Sequence, residues 1–412
     1  MAAMRDKFVA ALDVGTSKVC CFIARLNDEG GLRVVGIGHQ ISTGLRAGAV
    51  IDMEETETSI RAAVDAAERM AGGPVGEIWV NMSAGDLRSE GVAVDVSIAG
   101  HEIGQVDIQH VLDCGRAAFN AADREILHAL PVSYTIDGAH GVREPRGLIG
   151  ERLGVEMHIV TAEPGPLRNL EACVMRGHLR VAGFVASPYA SGLSCLVEDE
   201  KDLGVIVIDM GGGTTSIAVF MEGALVYTDM VPVGGNHVTN DIARGLVTPI
   251  HHAERMKTLY GSALPSASDD RETIDVPQMG ESDGDYTNRI PRSMLTGIIR
   301  PRIEETFELV RDRLVESGFD RLAGRRLVLT GGASQLAGVR EIAGRILDKR
   351  VRIGQPLNVS GLADVTQGPA FATCAGLLAY AVSGPIEAYA RVTRAEPRGR
   401  LARVGRWLKE NF

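Results

Sequence analysis

Two segments of the sequence join an aspartate to a glycine turn at the end of an apolar run. They are residues 8–18, which contain Asp13, and residues 204–216, which contain Asp209. In each segment, hydroxyl residues follow the turn and open a second apolar run. A duplicated Asp-plus-glycine turn predicts two similar half-molecules that hold one phosphate chain from both sides.

The residue types of these turns suit phosphate and magnesium chemistry. Glycine lets backbone N–H groups approach a phosphate closely. Lys18 can place a point charge on the terminal phosphates. Asp13 and Asp209 can hold the water shell of Mg²⁺, which keeps its waters and uses one or two carboxylates. The predicted phosphate-binding residues are Asp13, Gly15, Thr16, Ser17, Lys18, Asp209, Gly211, Gly212, Gly213 and Thr214.

A third glycine turn, Gly331-Gly332-Ala333, follows the apolar run 327–330 and could contact the nucleoside. One such turn alone is usually only a hairpin, but three at strand ends favour a nucleotide site. The chain has no G-x-x-x-x-G-K-[ST], so we do not expect a P-loop protein. It also has no G-x-G-x-x-G that enters a helix and precedes an acidic residue, which argues against a dinucleotide fold.

Composition limits the class of protein. A length of 412 residues predicts two or more domains. A hydrophobic content of 45% with 49 glycines is typical of a packed α/β protein. The aromatic content of 4% and the net charge of −10 argue against nucleic-acid binding. The six cysteines lack metal-ligand spacing and are interpreted as reduced core thiols. With neither a signal peptide nor an apolar run of about 20 residues, the chain is predicted to be cytoplasmic.

Periodicity divides the chain into repeated and inserted parts. A β-β-α-β pattern over 7–82 is interrupted near Gly85, and a block with α+β character follows before the pattern returns at Ala162. The second half repeats the first. The predicted boundaries are 1–84 with 162–196 for the first core, 85–161 for the insert, 197–228 with 305–383 for the second core, 229–304 for a further subdomain, and 384–399 for a linker.

The last residues, 400–412, form an amphipathic pattern on a helical wheel. One face carries Leu401, Val404, Trp407, Leu408 and Phe412, and the other carries Arg403, Arg406 and Lys409 with Glu410. Such a short helix lies in a bilayer interface and favours anionic lipid. The alternatives are a helix docked on the protein's own core and a basic nucleic-acid tail. The Pro/Gly linker before it favours a detached, membrane-binding element.

Together, the three turns resemble the two phosphate motifs and the adenosine motif of the actin-like ATPase superfamily. Within it, the chain is similar over nearly its whole length to the FtsA family of bacterial cell-division proteins. The supporting segments are 211–214, 234–243, 253–257, 299–302 and 329–333, and the C-terminal tail. The resemblance implies an α/β actin-like fold with two RNase H-like halves around a nucleotide cleft, a small SHS2-like insert, and ATP with Mg²⁺ as cofactors.

The resemblance also implies further site residues. Glu254 and Lys257, three apart on one helix face, would reach the ribose and base, although an ion pair explains the spacing too. Gly235 would adjoin the nucleotide, whereas Asn236, Thr239 and Asp241 could instead cap a helix. An acidic FtsZ C-terminal tail would bind near Arg289, Arg292 and Arg302, for which a solvated helix face is the alternative.

The implied function is a polymerising adaptor at the cytoplasmic face of the inner membrane. It would form filaments at the division site, tether the FtsZ ring, bind anionic lipid through its tail, and recruit later division proteins through the insert. No evident side chain activates water, so we expect ATP binding with at most slow turnover. The alternatives are a pilus-assembly ATPase of similar architecture and a metabolic kinase. The segment 187–194 offers a kinase no carboxylate or histidine as general base.

Overall fold

Two large sheets and one smaller sheet organise the protein in a computed structural model. The structure describes residues 8–26, 31–120, 123–279, 287–357 and 359–383. The predicted linker 384–399 and the predicted membrane helix lie outside the described residues. That helix includes all of its assigned membrane-binding residues, Leu401, Arg403, Val404, Arg406, Trp407, Leu408, Lys409 and Phe412.

The first half begins with a three-stranded meander and a long helix. Its elements are β1 (Phe8–Val14), β2 (Lys18–Leu26), β3 (Leu32–Ile41), β4 (Leu45–Arg46), β5 (Ala49–Val50), α1 (Met53–Ala71) and β6 (Glu77–Met82). Asp52 caps α1, because its side chain accepts hydrogen bonds from the N–H groups of Glu54 and Glu55, each at 3.0 Å. Gly38 lets α1 lie directly on β3, since a Cβ there would overlap the backbone of Ala63.

The insert is an antiparallel sheet covered by one helix. It contains β7 (Arg88–Ser97), α2 (Gln105–Ala118), β8 (Glu125–Ile136), β9 (Ala139–Val142) and β10 (Arg152–Ala162), with the strand order β7-β10-β8-β9. Ile108, Val111 and Leu112 of α2 are buried against this sheet. The insert therefore has its own apolar core, as its α+β pattern predicts.

The remaining elements complete the first half and build the second. They are α3 (Pro164–Arg176), β11 (Arg180–Ala186), α4 (Ser187–Cys195), α5 (Glu198–Leu203), β12 (Val205–Met210), β13 (Thr215–Met221), β14 (Ala224–Val231), α6 (Gly235–Leu246), α7 (Ile250–Tyr260), β15 (Thr273–Pro277), β16 (Thr287–Pro291), α8 (Arg292–Glu316), α9 (Phe319–Leu322), β17 (Arg326–Thr330), α10 (Val339–Leu347), β18 (Arg350–Ile353), β19 (Val359–Ser360) and α11 (Ala372–Ser383). A short 3₁₀ helix, Gly332–Gln335, separates β17 from α10.

The two large sheets share a five-stranded topology, to which the first sheet adds β19. Their strand orders are β11-β6-β1-β2-β3-β19 and β14-β13-β12-β17-β18. In each sheet, a meander of three antiparallel strands (β1 to β3, or β12 to β14) is extended by two parallel strands (β6 and β11, or β17 and β18). The duplication inferred from the two turns is thus a duplication of the whole sheet.

The end of the described chain returns to the first half, which corrects the predicted boundary of the second core at 305–383. Strand β19 pairs with β3, and α11 packs against β1, β2 and β6. The physical reason is that one face of the first sheet needs an apolar cover. Leu377 and Leu378 of α11 are fully buried against Ala11, Cys20 and Phe22 on that face.

Two local features of the second half depart from simple sequence patterns. The polar stretch 262–290 contains the β15–β16 hairpin. Pro301 lies in the interior of α8. Within the described part of the chain, no helix is both long enough and apolar enough to cross a membrane.

Candidate functional site

A cleft of about 690 Å³ lies between the two large sheets. It is walled by the β1–β2 turn, the β12–β13 turn, the start of α6, one face of α7 and the 3₁₀ helix. All but one of the residues predicted to bind nucleotide line this cleft. The exception is Gly331, which directly precedes the lining residue Gly332. The lining residues are Asp13, Gly15, Thr16, Ser17, Lys18, Asp209, Gly211, Gly212, Gly213, Thr214, Gly235, Glu254, Lys257, Gly332 and Ala333.

The two duplicated turns have the same backbone hydrogen bond. Gly15 N–H donates to Lys18 O at 2.9 Å, and Gly211 N–H donates to Thr214 O at 2.9 Å. Each bond closes a tight turn between two antiparallel strands, so the following backbone groups are held at the cleft edge. A phosphate chain between them would meet the same turn geometry from either side.

The two turns also approach each other across the cleft. A Cβ added at Gly213 would lie 2.5 Å from Thr16 Oγ1 and 2.9 Å from Ala47 Cα, and one at Gly212 would overlap Ser17 Oγ. The hydroxyl of Ser17 also donates to Asn236 Oδ1 at 3.0 Å, which joins the first turn to α6. At Gly213 the overlap involves backbone atoms of Ala47, so glycine at this position lets the two halves close on each other.

Asp209 has a buried carboxylate that is held in place by two hydroxyl groups. Its side chain is buried at the end of β12, and Oδ2 accepts hydrogen bonds from Ser191 Oγ at 2.5 Å and Thr373 Oγ1 at 3.0 Å. Burial raises the pKa of the Asp209 carboxyl, and the charge of Asp13 adds to that rise. Gly331, with φ +85°, leaves room beside it, since a Cβ there would overlap Asp209 Oδ1.

Asp13 has a different partner. Lys18 Nζ lies 3.1 Å from Asp13 Oδ2 and 4.6 Å from the centre of the Phe371 ring. Burial alone would lower the pKa of Lys18, but the neighbouring groups, led by the charge of Asp13, raise it overall. The ammonium is therefore retained at neutral pH, and Lys18 places one cation beside the carboxylate groups of Asp13 and Asp209.

The opposite end of the cleft joins α6 to α7. Lys257 Nζ lies 2.7 Å from Glu254 Oε2 and donates to Gly235 O at 3.1 Å and to Thr239 Oγ1 at 2.8 Å. Thr239 Oγ1 in turn donates to Glu254 Oε2 at 2.5 Å. A Cβ added at Gly235 would lie 3.1 Å from Ala333 Cβ, so Gly235 and the third turn face each other here.

The capping alternative for the polar residues of α6 is wrong. The N-cap of α6 is Gly234, and the side chain that bonds to it is that of His237, whose Nδ1 accepts from Gly234 N–H at 3.1 Å. Asn236 instead accepts from Ser17, and Asp241 binds Arg302 at 2.6 Å and 3.2 Å. Asn236 therefore joins α6 to the β1–β2 turn, and Asp241 joins α6 to α8; neither side chain caps the helix.

The structure does not gather the three arginines assigned to an acidic tail into one unpaired patch. Arg292 lines the cleft and donates from Nε to Tyr260 O at 2.9 Å. Arg289 is the most exposed of the three, with 73% of its side chain accessible. Each is already paired with carboxylates: Arg289 with Asp275 at 2.9 Å, Arg292 with Glu272 at 3.1 Å and Asp269 at 3.4 Å, and Arg302 with Asp241 and Glu305.

Sequence reasoning missed a set of buried polar residues behind the turns. Asn81 Oδ1 accepts from Val14 N–H at 2.7 Å, and Asn81 Nδ2 donates to Ser187 Oγ at 3.1 Å. Ser191 and Thr373 hold Asp209. In the sequence, these polar residues lie within or next to strongly apolar segments. An unpaired polar group buried there would cost free energy, so this pattern could have indicated buried, hydrogen-bonded side chains.

The duplicated sheets and the facing turns define the class of protein as one with an actin-like fold. Two solved structures with this architecture support it. The PilM-PilN type IV pilus biogenesis complex matches with a TM-score of 0.65 and 17% identity over 91% of this chain and 98% of that chain. MreB5 of Spiroplasma citri, bound to ADP, matches with a TM-score of 0.54 and 14% identity over 91% and 96%.

Sequence comparison identifies the family. The family model "Cell division protein FtsA" matches residues 206–376, and "SHS2 domain inserted in FTSA" matches residues 84–161. Cell division protein FtsA of Rhizobium meliloti is 47% identical over 100% of this chain and 96% of the relative. That of Pseudomonas aeruginosa is 39% identical over 100% of both. The chain belongs to the FtsA family of cell-division proteins, and the predicted actin-like fold with an inserted subdomain is confirmed.

Proposed function

We propose that the chain binds ATP with Mg²⁺ in the cleft, and that the bound nucleotide sets how the two halves close. The observation that carries this proposal is the pair of matching turns, which face each other with Asp13 and Asp209 at the ends of equivalent strands. The cleft of about 690 Å³ lies within the size range of small-molecule and cofactor sites.

The donor set suits a hydrated magnesium ion. Oxygen ligands from one or two carboxylates, with the remaining positions filled by water and phosphate, are what Mg²⁺ prefers. Asp13 and Asp209 would hold the ion through its waters, while Lys18 and the N–H groups of the glycine turns would bind the phosphates. The ion would supply charge neutralisation for the triphosphate. We expect turnover to be slow at most.

The ribose and base would lie at the end formed by α6, α7 and the third turn. Glu254 offers a carboxylate to the ribose hydroxyls, and Lys257 fixes that carboxylate at 2.7 Å. Gly235 and Ala333 face each other at this end of the cleft and would lie beside the base. Gly331 and Gly332 place the third turn beside it.

We further propose that the protein acts as a membrane adaptor in division. Copies would polymerise at the cytoplasmic face of the inner membrane at the division site, bound peripherally to anionic lipid through residues 400–412. They would tether the FtsZ ring and engage later division proteins through the insert. Family membership and the names of the relatives support this role.

The FtsZ C-terminal tail is proposed to bind near Arg289, Arg292 and Arg302. An acidic peptide would have to exchange with carboxylates that these arginines already bind, which favours modest affinity that falls with salt. Arg289 is best placed for such an exchange, because both it and its partner Asp275 are largely exposed.

The pilus-assembly alternative has a specific observation in its favour, the TM-score of 0.65 to the PilM-PilN complex. Identity to that structure is only 17%, whereas identity to the FtsA of Rhizobium meliloti is 47% over the whole chain. A metabolic kinase would need a general base, and the segment 187–194 contains no carboxylate or histidine. The division role is therefore preferred.

Calorimetry with Mg²⁺ and ATP tests the nucleotide proposal. Asp209→Ala removes a carboxylate from the cation site, and we expect affinity for Mg²⁺-ATP to fall at least about 10-fold. Asp113→Ala, which removes an exposed carboxylate from α2, is the matched control and should leave affinity unchanged. Equal affinity of the wild-type protein and Asp209→Ala would refute the site.

A further inference from the structure

Two hydroxyl groups from separate helices converge on one oxygen of Asp209. Ser191 Oγ lies 2.5 Å and Thr373 Oγ1 lies 3.0 Å from Oδ2, and the two hydroxyls are 3.0 Å apart. All three side chains are buried. We infer that Ser191 and Thr373 are positioning residues for the cation site, which hold Oδ2 and leave Oδ1 of Asp209 for a hydrated Mg²⁺. This inference rests on the proposed nucleotide function.

The number of available hydrogens supports this reading. Each hydroxyl has a single hydrogen. The two hydroxyls therefore either both donate to Oδ2, or one donates to the other, which then donates to Oδ2; in both arrangements the hydrogens are directed to Oδ2 and not to Oδ1. Among the described residues, the side-chain hydrogen bonds of Asp209 end on Oδ2, and Oδ1 lies beside Gly331, where a Cβ would overlap it. The absence of a side chain at Gly331 keeps that second oxygen uncovered.

The two duplicated aspartates have different partners. Oδ2 of Asp209 accepts hydrogen bonds from two buried hydroxyl groups, whereas Oδ2 of Asp13 lies 3.1 Å from Lys18 Nζ. Asp13 is thus already paired with an ammonium group, and Asp209 is the principal cation ligand.

Thr373 comes from an element of the first half, whereas Asp209 belongs to the second. Thr373 is near the start of α11, which covers the first sheet, and Ser191 lies on α4, which contacts strands of both large sheets. The two helices are in direct backbone contact, because a Cβ at Gly376 would overlap Ala190 O. A helix that covers the first half (α11) and a helix that lies between the two sheets (α4) thus orient a carboxylate of the second half, which couples the cation site to the arrangement of the halves.

The test measures how strongly Mg²⁺ improves ATP binding. Calorimetry of the full chain with ATP, in the presence of Mg²⁺ or of EDTA, gives the ratio of the two dissociation constants. We expect Ser191→Ala and Thr373→Val each to reduce this ratio about 10-fold, which is the effect of losing a hydrogen bond to a charged group. Ser191→Thr, which keeps the hydroxyl, should restore most of it.

The pH profile separates positioning from simple loss of stability. Removal of a donor raises the pKa of Asp209 further, so Mg²⁺-dependent binding should be lost at a higher pH than in the wild-type protein. Ser194→Ala is the matched control, since Ser194 Oγ donates to Ala372 O at 2.7 Å at the same helix junction without touching Asp209. It should lower thermal stability and leave the Mg²⁺ ratio and pH profile unchanged.

Failure of this inference is distinct from failure of the proposed function. If the wild-type protein binds ATP more tightly with Mg²⁺ but Ser191→Ala and Thr373→Val keep the full Mg²⁺ ratio, the positioning role is wrong and the site stands. A ratio that Ser194→Ala reduces equally would also overturn the inference, because any loss of packing would then suffice. If the wild-type protein shows no Mg²⁺-dependent ATP binding, the proposed function itself fails.

Discussion

Gly213→Ala is expected to weaken nucleotide binding by preventing closure of the two halves. The added Cβ would lie 2.9 Å from Ala47 Cα and 3.1 Å from Ala47 N, which are backbone atoms of the opposite half. Favourable contacts between carbon atoms occur at about 3.5–4.0 Å. The halves would therefore have to separate by about 1 Å.

The cost of this overlap can be converted into affinity. Overpacking of a tight contact typically costs about 1–3 kcal/mol. If ATP binding requires the closed arrangement, the dissociation constant for Mg²⁺-ATP should rise roughly 5- to 150-fold. Gly213 has no positive φ that an alanine would strain, and its overlap is across the cleft. The second half should therefore remain folded.

Calorimetry with Mg²⁺-ATP is the assay, and thermal unfolding is measured in parallel. Gly297→Ala is the control, because an added Cβ there meets nothing within 4 Å and replaces a helical glycine of α8. It should bind ATP normally and gain about 0.5–1 kcal/mol of stability. If Gly213→Ala binds Mg²⁺-ATP with the affinity of the wild-type protein, the close approach of the two turns does not govern nucleotide binding. The proposal that the two halves close on the nucleotide would then be refuted.

Three further predictions concern the pH, the tail and the insert. Affinity for Mg²⁺-ATP should decline as the pH is lowered through the raised pKa of Asp209, at a higher pH than for an exposed aspartate, and a flat profile in pH-dependent calorimetry would contradict this. Truncation after residue 398 should abolish flotation with anionic liposomes, and binding that survives the deletion would rule out the membrane helix. Ser89→Ala should cost about 1–2 kcal/mol in denaturant unfolding, since Ser89 Oγ donates to Thr228 O at 2.8 Å and accepts from its N–H at 2.9 Å. Ser97→Ala on the exposed end of β7 should be neutral, and equal losses in both variants would refute the specific contact.

The phosphate turns could be predicted from the sequence because their information is local. Asp13 and Gly15, like Asp209 and Gly211, lie two positions apart, and each turn follows an apolar strand. The alternation of strands and helices also indicates the insert, since its pattern differs from the flanking repeats. The residue types within a short segment largely determine its backbone conformation, so turns and strands of this kind can be recognised from the sequence alone.

The partners of Asp209 could not be predicted in the same way. Ser191 and Thr373 are 182 positions apart in the chain, and only tertiary packing of α4 on α11 brings them together. The placement of α11 was missed for a related reason, since an apolar helix shows that it is buried but not which sheet it covers. The pairing of the three arginines with carboxylates likewise depends on contacts between separate elements.

A structure solved with Mn²⁺ in place of Mg²⁺ and a non-hydrolysable ATP analogue would locate the nucleotide and the metal ion together. We expect phosphates between the turns at Gly15 and Gly211, a base beside Gly235 and Ala333, and an anomalous manganese peak next to Oδ1 of Asp209. Nucleotide bound outside this cleft, or a metal peak remote from both Asp13 and Asp209, would contradict it.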